Sequence, residues 1–494
     1  KVNIATIDLG TTNIKISIVS IDEKELSIQI LDSISRKLSA YTPAPKVHEH
    51  NPHEIRKSVS ELLQYLSHKH RIDAVVLSTY LFATVIVDRT LKPLTNIVTW
   101  LDGRACRYVK LIEDRASELY QRTGCPPIHI YTLSKILWLK HEKPELLHNN
   151  LILDSKSLLT GWLLGYPVTD LSTASGTYQM LNIAKLNWDP LALEIAGIDE
   201  NQLPELREAY FTDTINGEVS REIGLEPRTP LILGLFDGGS MVYGLSRGRR
   251  DTAVVNLGTS AMLRTVIDRP VIDASPNMVF QTYYMMDKLW LSGGAINNAG
   301  IVVEYLLKLL NLDFSVLRDV LGLDPPDPGQ TPITIPLLYP ERLPRLPQGT
   351  RLSIYRITSS TTYEHILWGV VDGILMLLKL IDESLHINGV GYREMMVGGG
   401  LSQYMGILKA MSSLFNKRLG VVRGVEASHL GQILLSLRVL GGSELERSFI
   451  TVIESSIEYF EPSRTLYDLY SKKFTEFKNI LTLHMQLYTD LQLQ

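Results

Sequence analysis

A repeated segment constrains this chain more than any other feature. The stretch ATIDLGTTNIKISIVSID, residues 5–22, returns about half a chain later as AVVNLGTSAMLRTVID, residues 253–268. In each copy a β-branched run meets a Gly-Thr-Thr or Gly-Thr-Ser turn and a second such run follows, the pattern of strand, tight turn and strand with glycine at the tip. Repetition at this spacing means two related halves, and 494 residues, of which 45% are hydrophobic, are enough for two cores. Between the copies, strand-like AVVLS, TVIVD and PLILGLF alternate with helix-like SKILWLKHEKPELL and PLALEIAGI, so the layers are expected to be α/β. The second half repeats the plan with helix-like INNAGIVVEYLLKLL, a Pro-rich loop ending in PERLPRLP, a long core helix, the strand MMVGGG and helix-like YMGILKAMSSLF. We place the domain junction at residue 245, giving domains 1–245 and 246–494.

Charge and cysteine usage exclude several classes of function. A net charge of -4 with no Lys/Arg block argues against nucleic acid, whose affinity for proteins comes mainly from neutralised phosphates. Cys106 and Cys125 cannot build a disulfide framework, and no Cys/His cluster has zinc spacing, so two reduced thiols are expected. The most apolar stretch, HILWGVVDGILMLLKLIDESL, is interrupted by Asp372 and Lys379 and fits a core helix better than a membrane span. The opening VNIATID is strand-like and unlike a leader. A soluble cytoplasmic protein without a membrane partner is the expectation.

Four constellations carry chemistry. In DLGTTNIK, residues 8–15, Gly10 lets the backbone turn and leaves amides open to an anion, the Thr11 and Thr12 hydroxyls can bond phosphate oxygens, Lys15 follows, and Asp8 can hold Mg2+ through water. One such hairpin is more often only a hairpin. The second copy, with Gly258, Thr259 and Ser260, changes that, because two facing turns can clamp a nucleotide; Asn256 replaces the aspartate there, so the halves differ in charge. In GLFDGG, Asp237 follows an apolar strand between small residues. It can accept the proton of an alcohol in phosphoryl transfer, or merely cap the next helix. In VGGG, Gly398, Gly399 and Gly400 can accept adenine and ribose against bare backbone at a helix start. In TWLDGRA, Trp100, Asp102 and Arg104, with Glu49 and His50 upstream, suit a polyol, or form a surface ion pair beside a core indole.

The order DLGTT, TWLDGRA, Asp237, NLGTS, PERLP and VGGG resembles the FGGY carbohydrate kinases, over nearly the whole chain. The resemblance implies two actin-like (ribonuclease H-like) domains with ATP in an interdomain cleft, sugar held mainly by the N-terminal domain, closure on binding, and Asp237 as the base, with Asp8 and Asp237 serving Mg2+ through water. RTGCPPIHIYTLSKILWLK, TDLSTASGTYQMLNIAKLNWDPLALEIAGI and GGAINNAGIVVEYL, the last holding Asn297 and Asn298, resemble the gluconate kinases most, as does the threonine before Trp100. Gluconate is therefore the leading substrate, with xylulose or another polyol next and a non-catalytic ATP-binding sensor last. Departures fall on the sugar side. Leu81-Phe82 stands where Met-His is common, His50-Asn51 where Gln-Asp is common, and the PERLP loop looks short and lacks the usual tryptophan downstream. The implied partners are ATP and a sugar or sugar acid, with a homodimer left open. The implied acid end is expected to meet cations of the N-terminal domain, namely Arg104, His50 or Lys135, Arg104 first because a guanidinium binds a carboxylate through two parallel bonds.

Overall fold

Both copies of the repeated segment fold as antiparallel hairpins in the computed structural model, which describes residues 1–343, 346 and 351–490. Val2–Leu9 pairs with Asn13–Asp22, setting Asp8 opposite Lys15. Thr252–Leu257 pairs with Ala261–Ile267, setting Asn256 opposite Met262. A third antiparallel strand extends each hairpin, Ser27–Lys37 in the first half and Leu289–Ile296 in the second. On the other flank two parallel strands follow, Ala74–Thr79 with Pro230–Ile232, and Glu394–Gly398 with Arg418–Val422. The sheets thus share one strand order, to which Thr212–Thr214, Gln281–Met286 and Ile457–Phe460 add edges. The duplication read from residues is a duplication of topology.

Parallel neighbours need long crossovers, so helices cover the sheets and the middle strands are buried on both faces. Every residue of Ala74–Thr79 is buried. The covering helix Pro52–Lys69 starts where Asn51 accepts from the His53 and Glu54 amides and proline fills the first turn, and it turns Ile55, Val59, Leu62 and Leu66 inward. In the second half the long helix Tyr363–Ile387 is mostly buried. Asp372, the charge interrupting its apolar run, accepts from Lys473 Nζ at 2.6 Å and Tyr470 Oη at 3.0 Å. Among the described residues no helix is long and apolar enough to cross a membrane.

Two helices lie where the halves meet, Asp237–Ser246 and Ala427–Ser455. They touch through glycines: a Cβ on Gly431 would lie 1.8 Å from the Ser240 carbonyl oxygen, and one on Gly244 would lie 2.5 Å from the Gly431 nitrogen. One apolar cluster runs through this crossing and holds Ile4, Val19 and Val76 from the first half with Val254, Met396 and Leu434 from the second.

Some expectations shift. TVIVD yields the short strand Val85–Val87, which pairs with Leu151–Leu153 outside the large sheets. The helix expected from INNAG begins only at Gly300, because Asn297 and Asn298 are spent anchoring another loop. The glycine run of residues 398–400 leads into the short turn Gly400–Gln403, and the helix proper starts at Met405, so no helix N-terminus opens directly on those glycines. Pro344, with which PERLP closes, and most of the loop after it lie outside the described residues.

Candidate active site

Local backbone needs place Asp237. After strand Pro230–Ile232, Gly234 has φ +72, and a Cβ there would fall 1.8 Å from the Leu77 carbonyl oxygen, so the approach admits only glycine. Phe236 then bridges to Thr79, and Asp237 opens the helix with its Oδ1 accepting from the Gly238 amide at 2.7 Å. Beneath it, fully buried Lys156 donates to Asp170 at 2.5 Å and to the Gly234 carbonyl at 2.6 Å, locking the bend. Asp237 reaches solvent inside the cleft. The protein around it still raises its pKa, against the Gly238 hydrogen bond and the charges of Arg342, Arg264 and Lys156.

Asp8, at the end of the first strand, is pushed up to about 7 by burial and then by the charge of Asp237. Two carboxylates with raised pKa values, one of them raised in part by the other, suit a divalent cation, which would favour both ionised forms. Among the described residues no group of three or more His, Cys, Asp or Glu side chains could hold a metal by itself. The donor set fits a cation that brings further oxygens with it, as a phosphate-bound Mg2+ does.

The turn at residues 10–13 closes with the Gly10 amide on the Asn13 carbonyl at 2.9 Å, and the turn at 258–260 with the Gly258 amide on the Ser260 carbonyl at 3.0 Å. Neither Gly10 nor Gly258 has a positive φ, contrary to the expectation that glycine is there for its backbone freedom. Glycine instead leaves the surface bare, since a Cβ would sit 3.2 Å from the Asn13 carbonyl in one turn and 3.4 Å from the Ser260 carbonyl in the other. Beside the second turn a cavity of about 230 Å3 is lined by Thr259, Gly300, Val303, Phe314, Gly400 and Tyr404. On the other side of residues 398–400 a larger cavity, about 520 Å3, is lined by Asn256, Met241, Gly399, Glu426 and Ser428. Lys15 is engaged by both Glu426 oxygens at 2.9 and 2.8 Å, so it faces a carboxylate of the other half.

The residues read as a sugar wall divide into two groups. Trp100 donates from Nε1 to Thr11 Oγ1 at 3.3 Å, which joins the wall to the phosphate-sized turn. Phe82, a buried residue at φ +69, sits in the apolar cluster with Phe236, Trp100 and Tyr131, its amide on Thr177 Oγ1 at 3.3 Å. Such a φ is costly for a bulky residue and marks a position held by its surroundings. The charged members point into one another. Asp102, 1% exposed, accepts from the His48 amide at 2.9 Å and from Arg104 Nη2 at 2.8 Å, while Glu49 accepts from Arg104 Nη2 and from Asn96 Nδ2 at 2.9 Å.

All three cations expected at an acid end already have partners within the protein. Arg104 spends Nε and Nη2 on Asp102 and Glu49 and lies 4.4 Å from the Trp138 ring centre. Lys135, 1% exposed and brought down to about 7 by burial, donates to the Phe82 and Val98 carbonyls. His50, fully buried and brought down to about 4 by burial and by His48, is neutral, with Nδ1 2.8 Å from Tyr80 Oη. Asn297 bonds the Pro340 carbonyl at 2.8 Å, and its amide meets Glu341 Oε1 at 2.8 Å, so its side-chain donor fixes the PERLP loop.

That loop carries a residue the motif reading passed over. Arg342 lies 5.2 Å from the Trp100 ring centre and acts on Asp237. Arg264, 5% exposed, lies 4.8 Å from the Tyr283 ring centre and also acts on Asp237. A sequence signal existed for both: Arg264 shares the inward face of its strand with Met262 and Val266, where a charge is out of pattern, and Arg342 stands inside PERLP.

Comparison with known proteins agrees with this geometry. The model of the FGGY family of carbohydrate kinases, N-terminal domain, matches residues 3–244, and that of the C-terminal domain matches residues 253–439. The chain is 29% identical to the gluconokinase of Bacillus subtilis (strain 168) over 88% of its length and 87% of the relative's. It is 24% identical to a xylulose kinase of Staphylococcus epidermidis over 98% and 97% of the two lengths. The crystal structure of gluconate kinase from Lactobacillus acidophilus superposes with a TM-score of 0.90 at 25% identity, covering 99% of each chain. With paired actin-like sheets, a carboxylate at their cleft and both domain models matched in order, this chain belongs to the FGGY family of carbohydrate kinases.

Proposed function

We propose that the enzyme transfers the γ-phosphoryl group of ATP to the terminal hydroxyl of a sugar acid, most plainly D-gluconate, giving 6-phosphogluconate in the cytoplasm. The observation that carries this reading is Asp237, a carboxylate at the cleft floor with the Asp8 turn on one side and the Trp100 and Phe82 wall on the other. The kinship with gluconokinases supports the choice of acceptor. The proposed division of labour, residues 1–245 for sugar and 246–494 for nucleotide, follows from which half supplies the wall and which the cavity at Thr259 and Tyr404.

In this mechanism Asp237 orients the acceptor hydroxyl and takes its proton as oxygen bonds to phosphorus and the bond to ADP breaks. The bare turns at Gly10 and Gly258, with the Thr11, Thr12, Thr259 and Ser260 hydroxyls, grip phosphate oxygens from both sides. Asp8 and Asp237 would hold Mg2+ through water, and the ion, when bound, supplies charge neutralisation at the phosphates. The aromatic wall excludes water that would otherwise consume ATP. A coupled assay of ATP consumption with gluconate, xylulose and glycerol tests the reading, and gluconate is expected to give the highest kcat/KM. Efficient phosphorylation of xylulose with gluconate ignored would end the sugar-acid assignment and leave the family intact.

A further inference from the structure

Buried guanidinium groups are among the most heavily hydrogen-bonded groups in proteins, because an unpaired charge away from water is strongly destabilising. Arg264 breaks this rule. Its Nε and Nη1 are shut off from solvent and have no hydrogen-bond acceptor, and Nε of Arg342 is in the same condition. The ring faces of Tyr283 and Trp100 compensate only in part, since a cation over a ring leaves the in-plane N–H donors unsatisfied. Each arginine also favours the ionised form of Asp237, and Arg264 acts unfavourably on Arg342. Glu341, the carboxylate beside Arg342, is turned to the Asn297 and Asn298 amides. What the pair lacks is an acceptor with two oxygens in one plane.

We infer that Arg264, with Arg342, is the specificity determinant for the carboxylate of the acceptor. The inference rests on the sugar-acid reading above and moves the acid end from the first half, where Arg104 is already engaged, to the second. An acid so held has its terminal hydroxyl at Asp237, its C–H faces on Trp100 and Phe82, and its carboxylate on a planar donor set that no neutral polyol satisfies. Because the wall belongs to one half and the arginines to the other, a sugar acid joins the halves and a neutral sugar does not.

Calorimetric titration of D-gluconate and of glucitol, its neutral counterpart, into the parent, Arg264→Leu, Arg264→Lys and Arg342→Met decides the matter without turnover. Removing one partner of a buried charge pair is expected to weaken gluconate binding by at least about 30-fold for Arg264→Leu, with a much smaller change for glucitol. Arg264→Lys should fall between, since an ammonium keeps the charge and loses the planar fork. Without ligand, Arg264→Leu should melt at or above the parent temperature, because it removes a buried guanidinium whose Nε and Nη1 donors have no acceptor. A variant that melts lower and binds gluconate within about threefold of the parent would make Arg264 structural and overturn the inference. Arg342→Met decides alongside it by the same affinity criterion should Arg264→Leu fail to fold. A parent that phosphorylates gluconate while Arg264→Leu and Arg342→Met both bind it normally ends this inference alone. A parent that binds no sugar acid ends the substrate reading with it.

Discussion

Asp8 and Asp237 carry the same functional group under the same pressure, burial, and the proposed mechanism uses them differently. Asp237 must be ionised to accept a proton, so its raised pKa moves the acid limb of kcat/KM above the ordinary aspartate range, and activity is lost as pH falls through it. Asp237→Asn should keep the fold and nucleotide affinity by calorimetry while kcat drops by about 100-fold or more. Turnover within a few-fold of the parent at saturating substrate would exclude it as the base. Asp8 tests the ionic role separately. Its folded pKa of about 7 stands above the unfolded value of 3.8, so the ligand-free protein has this group's full stability below about pH 4 and loses it as pH rises to 7. Asp8→Asn should therefore raise the melting temperature at pH 8, change it little at pH 4, and weaken Mg-nucleotide binding. A lower melting temperature at pH 8 would mean that Asp8 is satisfied by the protein itself.

At the scale of elements, the glycine contact between Asp237–Ser246 and Ala427–Ser455 holds in place the helix that Asp237 opens. Because the atom that a Gly431 Cβ would strike is the Ser240 backbone carbonyl, one turn from Asp237, no rotamer change relieves the clash. Gly431→Ala should cost about 1–3 kcal/mol as an overpacking change and lower kcat more than it raises KM, through displacement of Asp237. Denaturant unfolding with steady-state kinetics measures both, and an unaltered kcat would show the helix free to shift. The repeated hairpins were legible because β-branched runs and a polar turn recur together in both halves. The helix Ala427–Ser455 was not, since Gly441 and Gly442 break its pattern, Gly442 with φ 80. Nor was the edge strand Ser27–Lys37, whose mixed polar sequence matches its largely exposed position. In the site, Asp237 and the turns could be read from local composition. The capture of Arg104 by Asp102 and Glu49 and the isolation of Arg264 could not, because both depend on which side chains the fold brings together.

Across the whole molecule, buried hydrogen bonds join the two halves. Tyr131 and Tyr283 hydroxyls meet at 2.7 Å, Tyr120 donates to the Phe280 carbonyl at 2.7 Å, and Gln432 donates to the Ile7 carbonyl at 3.2 Å, all buried. At the start of the helix that holds Gln432, the Lys15–Glu426 pair is partly exposed, with side chains 31% and 60% accessible, so its contribution to stability is small, about 0–1 kcal/mol, and screened by salt. Its larger consequence is to occupy Lys15, the cation beside the turn at residues 10–13 to which the proposed mechanism assigns phosphate. Glu426→Gln releases that cation for the nucleotide, and KM for ATP should fall by up to about fivefold at low ionic strength, the ceiling set by an exposed pair. The gain should fade near physiological salt, where charges beyond roughly 8 Å are screened, and the melting temperature should hardly move. Steady-state kinetics in ATP at two ionic strengths, at saturating acceptor, measure the effect. A KM that rises instead would place Glu426 in the nucleotide site, with Lys15 acting there only through it.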